Sequence, residues 1–387
     1  MEPSHYHPGA RPAYLAGRGS ALQTVDDIRS RLRHLGRSGG PLTVFYGARG
    51  YGKTSLLRQA QAATAEAGFF TGWVTGRQDR TMVETLAKSL SPSVRSVGDR
   101  AAALVHRLDK VQVEFGVPGA KIGAEVNTGS AGGAGSDGAA LALGELLEDT
   151  ARFAATHDRS GLILFVDEFQ EARAADRCSL LIALQESDGD QMNPCPVAIV
   201  AAGLPSVYSA VTQAATFGER SRFLKVRGLN EVAVAEALRV AAEPAQVRWS
   251  DAAIQVATEA SGGYPHKVQL IGDAAWASAR PEHGGVVTEG HARAGAEAAE
   301  SHMEQLFRTR WTAARPEHRR VLVALAAGGG DTASRADIAV RLGVTSDALS
   351  RPREQLIARG LIEATGHGEL SFTIPGFGAF VRRQDAH

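Results

Sequence analysis

Eight residues constrain this chain more tightly than any others. Gly47-Ala48-Arg49-Gly50-Tyr51-Gly52-Lys53-Thr54 reads G-x-x-x-x-G-K-T and follows an apolar, β-rich run at 42–46. A buried strand, a glycine loop and then a helix carrying Leu56 and Leu57 form a phosphate cradle. The loop's N–H groups and the helix N-terminus concentrate positive potential where phosphate oxygens can sit. In that order of parts Lys53 is placed to reach the β- and γ-phosphates of a nucleotide, and the Thr54 hydroxyl to ligate Mg²⁺. The expected ligands are therefore ATP or ADP with Mg²⁺, held by the loop residues and Ser55.

The chain's 387 residues are enough for two or three domains with their own cores. Lys plus Arg and Asp plus Glu both number 42, so any nucleic-acid contact must come from a local patch. Cys178 and Cys195 alone cannot staple a disulfide scaffold and fit a reducing cytosol. No apolar run approaches the roughly 20 residues of a membrane helix. The polar, Pro-containing residues 1–11 have no signal-peptide core. A soluble cytoplasmic protein with no membrane partner is expected. The histidines, His5 and His7 included, show no metal-ligand spacing.

Apolar runs at 42–46, 69–75, 162–166, 197–201 and 223–226 alternate with helical patterns at 53–67, 80–90, 139–157, 172–187, 205–215 and 231–242. That alternation predicts an α/β domain with a parallel sheet. A hairpin is expected near 111–115, and a flexible Gly- and Ser-rich surface insertion over 121–138. From 251 to 279 the pattern is helical, broken at Gly262-Gly263-Tyr264-Pro265, and an amphipathic helix follows over 288–314. Helices at 317–327, 335–342 and 346–359 then precede strands at 361–364 and 370–374, which enclose Thr365-Gly366-His367-Gly368. This last order resembles a winged helix-turn-helix.

The second chemical signal is Leu162-Ile163-Leu164-Phe165-Val166-Asp167-Glu168. Five apolar residues make a strand buried on both faces, and it ends in two carboxylates at the sheet edge where α/β proteins bind ligands. Asp167 would hold Mg²⁺ through its water shell, and Glu168 would orient and polarise the attacking water. The alternative is a strand that ends in a solvated acidic turn. Arg220 and Arg222 stand just before the last strand. Either can serve as a finger reaching a neighbouring subunit's γ-phosphate in a homo-oligomer, act within its own site, or form surface salt bridges.

Together these residues resemble the bacterial AAA+/STAND-like ATP-binding proteins, which are similar to origin-recognition and archaeal replication-initiator ATPases. The resemblance covers about residues 14–383. It is carried by the segment from Tyr46 to Leu57, by Val166-Asp167-Glu168-Phe169-Gln170, by Ala202-Gly203-Leu204-Pro205, by Gly263-Tyr264-Pro265 and by the stretch from Phe372 to Phe377. It implies a flexible N-terminus (1–13), a P-loop NTPase core of AAA+ type (14–228, with the Gly-rich insertion at about 116–138), a helical lid and connecting helix (229–314), and a C-terminal winged helix (315–383). It further implies that Arg18 lies near the base, or else belongs to an arm covering the sheet edge. Pro265 and His266 would face the nucleotide from the lid. The strand at 197–201 should lie between those at 42–46 and 162–166. Relatives usually end it in a polar residue that senses the γ-phosphate, and here its tip is Ala202-Gly203 with Ser206 the nearest hydroxyl. Two functions follow. One is an ATPase acting as a nucleotide-dependent conformational switch, with DNA as a partner of Ser350, Arg351, Arg353 and His367. The other is a STAND-like, nucleotide-gated regulatory module with little or no turnover.

Overall fold

Strands made almost wholly of apolar residues bury both faces, and two strands of this protein, at 162–167 and 197–203, are buried along their whole length. The structure, a computed structural model, describes residues 2–116, 134–157, 159–189, 195–366 and 368–385. The chain divides into two units, one of Ser20–Tyr46 and Leu56–Lys225, the other of Met1–Gly19, Gly47–Ser55 and Val226–His387.

The first unit holds a five-stranded sheet, parallel throughout: β1 (Thr43–Tyr46), β2 (Phe70–Thr75), β3 (Leu162–Asp167), β4 (Val197–Gly203) and β5 (Arg222–Lys225), in the order β2-β3-β4-β1-β5. The expected insertion of β4 between β1 and β3 is thus observed. α1 (Gly19–Leu35) precedes the sheet, and the crossovers that parallel strands need are supplied by α2 (Lys53–Glu66), α3 (Met82–Arg95), α4 (Ala102–Gly116), α5 (Ala134–Thr156), α6 (Ala174–Gly189) and α7 (Val207–Ala214). Val44, Val74, Leu164, Val166 and Ile199 share one core with Leu86, Leu90, Leu143 and Leu147 of the helices.

Two expectations are corrected here. The hairpin near 111–115 is instead the end of α4, in which Leu104, Leu108 and Val111 recur at helical spacing and bury one stripe in the core. The β-branched valines suggested a strand only when read locally. The Gly- and Ser-rich insertion lies outside the described residues as far as 133, and residues 134–138 open α5 rather than a loop.

In the second unit, α8 (Glu231–Ala242) and α9 (Asp251–Ser261) start at Asn230 and Ser250, whose side chains accept the N–H of Ala233 and Ala253. A small parallel pair, β6 (Arg248–Trp249) with β7 (Val286–Val287), accompanies α10 (Pro265–Ala279) and α11 (Glu289–Ala313). The expected flexibility of residues 1–13 is also corrected. The Tyr6 hydroxyl donates to the Leu238 carbonyl at 2.7 Å and accepts from Trp249 Nε1 at 2.8 Å, and the buried ring lies edge-on to Trp249 and Trp276. An aromatic ring of that size, buried with its hydroxyl satisfied, anchors a segment that has no secondary structure of its own.

The C-terminal part consists of α12 (Pro316–Ala326), β8 (Thr332–Ser334), α13 (Arg335–Leu342), α14 (Ser350–Ala358), β9 (Ile362–Gly366), β10 (Glu369–Phe372) and α15 (Phe377–Asp385). Its antiparallel sheet has the order β8-β10-β9. Leu322, Leu325, Ile338, Leu356, Phe372, Phe377 and Phe380 fill its core. β8 and α15 had no counterpart in the sequence reading. His367 lies outside the described residues.

Candidate nucleotide site

The glycine loop leaves β1 at Tyr46 and ends where α2 begins, so loop N–H groups and a helix N-terminus share one position in the chain. Lys53 is buried, and its Nζ donates to the carbonyls of Gly47 at 2.9 Å and Ala48 at 2.8 Å. The ammonium is therefore held at the loop, where an anion could take over those contacts. Thr54 is exposed on the first turn of α2.

Two hydroxyls tie this loop to distant segments of its own unit. Tyr264, which caps α10, donates to the Arg49 carbonyl at 3.1 Å, and Tyr51 donates to the Thr373 carbonyl at 3.2 Å. The two rings lie 5.8 Å apart at 59°. Gly50 makes the approach feasible. Its φ is +80°, and a Cβ there would lie 2.0 Å from the Tyr264 oxygen. Burial pushes the Tyr51 hydroxyl up to about 12, with Glu363 and Tyr264 adding to the rise, and burial also raises Tyr264. Both therefore act as neutral donors.

Arg18 is buried behind the same loop, donating to the carbonyls of Tyr51 at 3.0 Å and Arg227 at 2.9 Å. Burial lowers its pKa. Its bonds brace the loop from the backbone side. Arg310 of α11 is also lowered by burial, with the positive charge of Arg49 contributing, and its buried Nε has no hydrogen-bond partner. Pro265 opens α10, as suits a residue with no N–H to leave unpaired. The His266 ring lies edge-on to Tyr264 and His302, and burial followed by His302 lowers its pKa.

In the sheet unit, register fixes the second group. Asp167 ends β3 opposite Thr75, and the alignment of β3 with β4 and of β4 with β1 puts it at the edge where β1 finishes. Two inter-strand steps separate β3 from β1, roughly 10 Å. Asp167 is buried and its Oδ1 accepts the Glu168 N–H at 3.1 Å. Glu168 follows in the left-handed region, with φ 48° and ψ 46°.

Arg220 and Arg222 are not brought to this edge. Arg222 pairs with Thr43 and Lys225 with Tyr46, so Arg222 sits three residues, roughly 10 Å, below it. Arg220 borders a hollow of about 180 Å³ lined by Leu42, Leu181 and Phe217. The role within their own site is corrected on this ground: both are exposed at the amino edge of the sheet, away from Asp167 and Glu168.

The donor chemistry fits Mg²⁺. A hydroxyl and a carboxylate are hard oxygen ligands, and Mg²⁺ commonly takes one or two protein oxygens plus water and phosphate. Among the described residues no group of three or more His, Cys, Asp or Glu could hold an ion by itself.

Sequence reasoning passed over Tyr264, Thr373 and Gln170 as functional candidates. A Tyr placed inside a Gly-x-Pro turn, and a polar residue two positions after Glu168, were the only signals available. On the C-terminal helix α14, Arg351 is exposed, Ser350 accepts from Arg335 at 2.9 Å, and Arg353 is half-buried.

Residues 14–200 match the AAA ATPase domain, and residues 304–381 match a domain of unknown function (DUF8462). No curated protein matches the chain. Among solved structures, the Walker-type ATPase PABY2304 of Pyrococcus abyssi is similar at 16% identity and a TM-score of 0.56, with 99% of each chain covered. RuvB of Thermotoga maritima is 15% identical with a TM-score of 0.48, covering 93% of this chain and 95% of that one. Cdc6p of Pyrobaculum aerophilum is 12% identical with a TM-score of 0.47, covering 98% of both. At these identities the likeness to PABY2304 speaks to the fold.

Proposed function

We propose, from the match of residues 14–200 to the AAA ATPase domain, that the chain is an ATP- and Mg²⁺-dependent switch that passes nucleotide state from its glycine loop to its C-terminal residues. The observation that carries this reading is the pair of hydroxyl bonds from Tyr264 to Arg49 and from Tyr51 to Thr373. A loop that shifts when it takes phosphate must strain or break them. In this reading residues 14–228 are the ATPase core, 229–314 the lid and connecting helix, and 315–383 a winged helix.

Residues 47–55 bind the phosphates, with Lys53 neutralising their charge. Thr54 and Asp167 hold the metal, which when bound offsets phosphate charge. Glu168 orients a water and takes its proton. Arg220 and Arg222, exposed at the amino edge, serve a nucleotide only in a second copy of the chain. Arg18 braces the loop, and Pro265 and His266 belong to the lid face. A DNA contact on α14 would rest on Arg351.

Lys53→Ala should abolish nucleotide binding, and Glu168→Gln should keep binding but stop phosphate release. Hydrogen exchange with ADP and with a non-hydrolysable ATP analogue reads the switch. Exchange near Thr373 should differ between the two, and Tyr51→Phe should erase the difference. An ATP-dependent change confined to residues 47–55 would rule the switch out. The buried, side-chain-poor tip of β4 at Ala202-Gly203 favours slow turnover, which phosphate release from the parent protein measures directly.

A further inference from the structure

The tip of β4 has no polar side chain of its own, yet a polar group is delivered to it. Gln170, in the short 3-10 turn after β3, accepts the Leu204 N–H with its Oε1 at 3.1 Å. Its Nε2 donates to Glu168 Oε2 at 2.5 Å. One amide thus links the end of β4 to the carboxylate at the end of β3.

The space for this amide depends on the absence of a side chain at 203. A Cβ on Gly203 would lie 2.4 Å from Gln170 Oε1 and 2.8 Å from the Val207 Cβ. Gln170 is held from behind as well, since its carbonyl accepts from Arg177 at 3.2 Å.

Glu168 is also fixed through its backbone. Among the described residues three non-glycines have positive φ; Gln246 and Arg280 end helices, whereas Glu168 precedes one. The Gly76 N–H donates to the Asp167 carbonyl at 2.8 Å, and a Cβ at 76 would lie 2.2 Å from the Glu168 carbonyl oxygen. A left-handed glutamate persists only where its surroundings over-determine it, and such positions concentrate at functional sites.

We propose that Gln170 is the positioning residue for Glu168. By occupying Oε2 it fixes the carboxylate and leaves Oε1 to meet the attacking water. The proposal rests on Glu168 as the water-activating base. A misplaced base costs rate and not ground-state binding, by up to about 100-fold for a displacement near 1 Å.

The test is Gln170→Leu, with Gly203→Ala as an independent way to push the amide aside. Single- and multiple-turnover phosphate release should show kcat lower by about 10- to 100-fold, with ADP affinity and the KM for ATP within about twofold of the parent. In a Glu168→Gln background, Gln170→Leu should cost no further rate, because a residue acting through Glu168 has nothing left to position. A Gln170→Leu kcat within twofold of the parent overturns the proposal, as does a full further loss on top of Glu168→Gln. Should Gln170→Leu fail to fold, Gln170→Glu keeps the acceptor for Leu204 but sets a carboxylate against Glu168. The same kcat loss with binding intact is then expected, and an unchanged kcat overturns the proposal. If Glu168→Gln hydrolyses like the parent, it is the base assignment that has failed. If Glu168→Gln is inert and Gln170→Leu is normal, only the positioning role has failed. A parent that binds ATP without turning it over overturns both.

Discussion

Replacing Tyr264 by Phe removes one oxygen from a buried ring and leaves the packing intact. That oxygen donates to the Arg49 carbonyl at 3.1 Å. A neutral hydrogen bond of this kind contributes about 1 kcal/mol net, and the orphaned carbonyl is the acceptor of a loop next to solvent, so little extra penalty attaches. One kcal/mol is about fivefold in an equilibrium constant. If the loop must leave this bond to take nucleotide, the competent fraction rises by that factor and apparent affinity rises with it. Titration calorimetry with ADP and with a non-hydrolysable ATP analogue should give dissociation constants about fivefold tighter for Tyr264→Phe. Urea denaturation of the free protein should show a loss of about 1 kcal/mol. Affinity unchanged within twofold, alongside that stability loss, would mean the bond is structural and carries no signal. Weaker binding would refute the direction, since the bond would then support the nucleotide-bound loop.

Further outcomes follow from the same geometry. Gly50→Ala places a Cβ 2.0 Å from the Tyr264 oxygen at φ +80°. It should cost about 2–4 kcal/mol and abolish nucleotide binding, as read by thermal melts with and without ADP. Tyr6→Phe leaves the Leu238 carbonyl and Trp249 Nε1 unpaired in a buried place. The urea midpoint should report a loss of about 1–3 kcal/mol, and deletion of residues 1–13 should cost more. His266 is held below its ordinary 6.5 by burial and by His302. The unfolded chain therefore binds the proton more readily, so this contribution to stability is full above pH 6.5 and declines as pH falls below it. Melting temperatures across pH 7.5 to 5.5, about one unit either side of that value, should fall less steeply for His266→Gln than for the parent. Equal slopes would exclude His266 as the source.

The elements that could be read in advance are those whose cause is local. β3 as far as Val166, and β4 throughout, carry no polar side chain, so their strand character and burial follow from composition. Helix α8 starts at Asn230 with a side-chain cap, and α13 ends at Gly343, both familiar punctuation. What failed needed context. Val111 and its neighbours look β-forming until Leu104 and Leu108 define a helical stripe. β6, β7 and β8 are two or three residues long and exist because a partner strand lies beside them. Arg220 and Arg222 were legible as charges before a strand, but only the pairing of Arg222 with Thr43 shows which end of the sheet they occupy.

The glycine loop after β1 and the paired carboxylates Asp167 and Glu168 at the end of β3 were legible in sequence alone as candidates for phosphate and metal chemistry, because each is a contiguous run whose neighbours dictate its geometry. The fate of that chemistry was decided elsewhere. Tyr264 meets Arg49 across 215 residues, and Tyr51 meets Thr373 across 322. Gln170 reaches Leu204 across 34 and fills the space that Gly203 leaves. Hydrogen bonds of this kind act over about 3 Å, and no local pattern records which distant carbonyl or N–H the folded chain will bring within that reach.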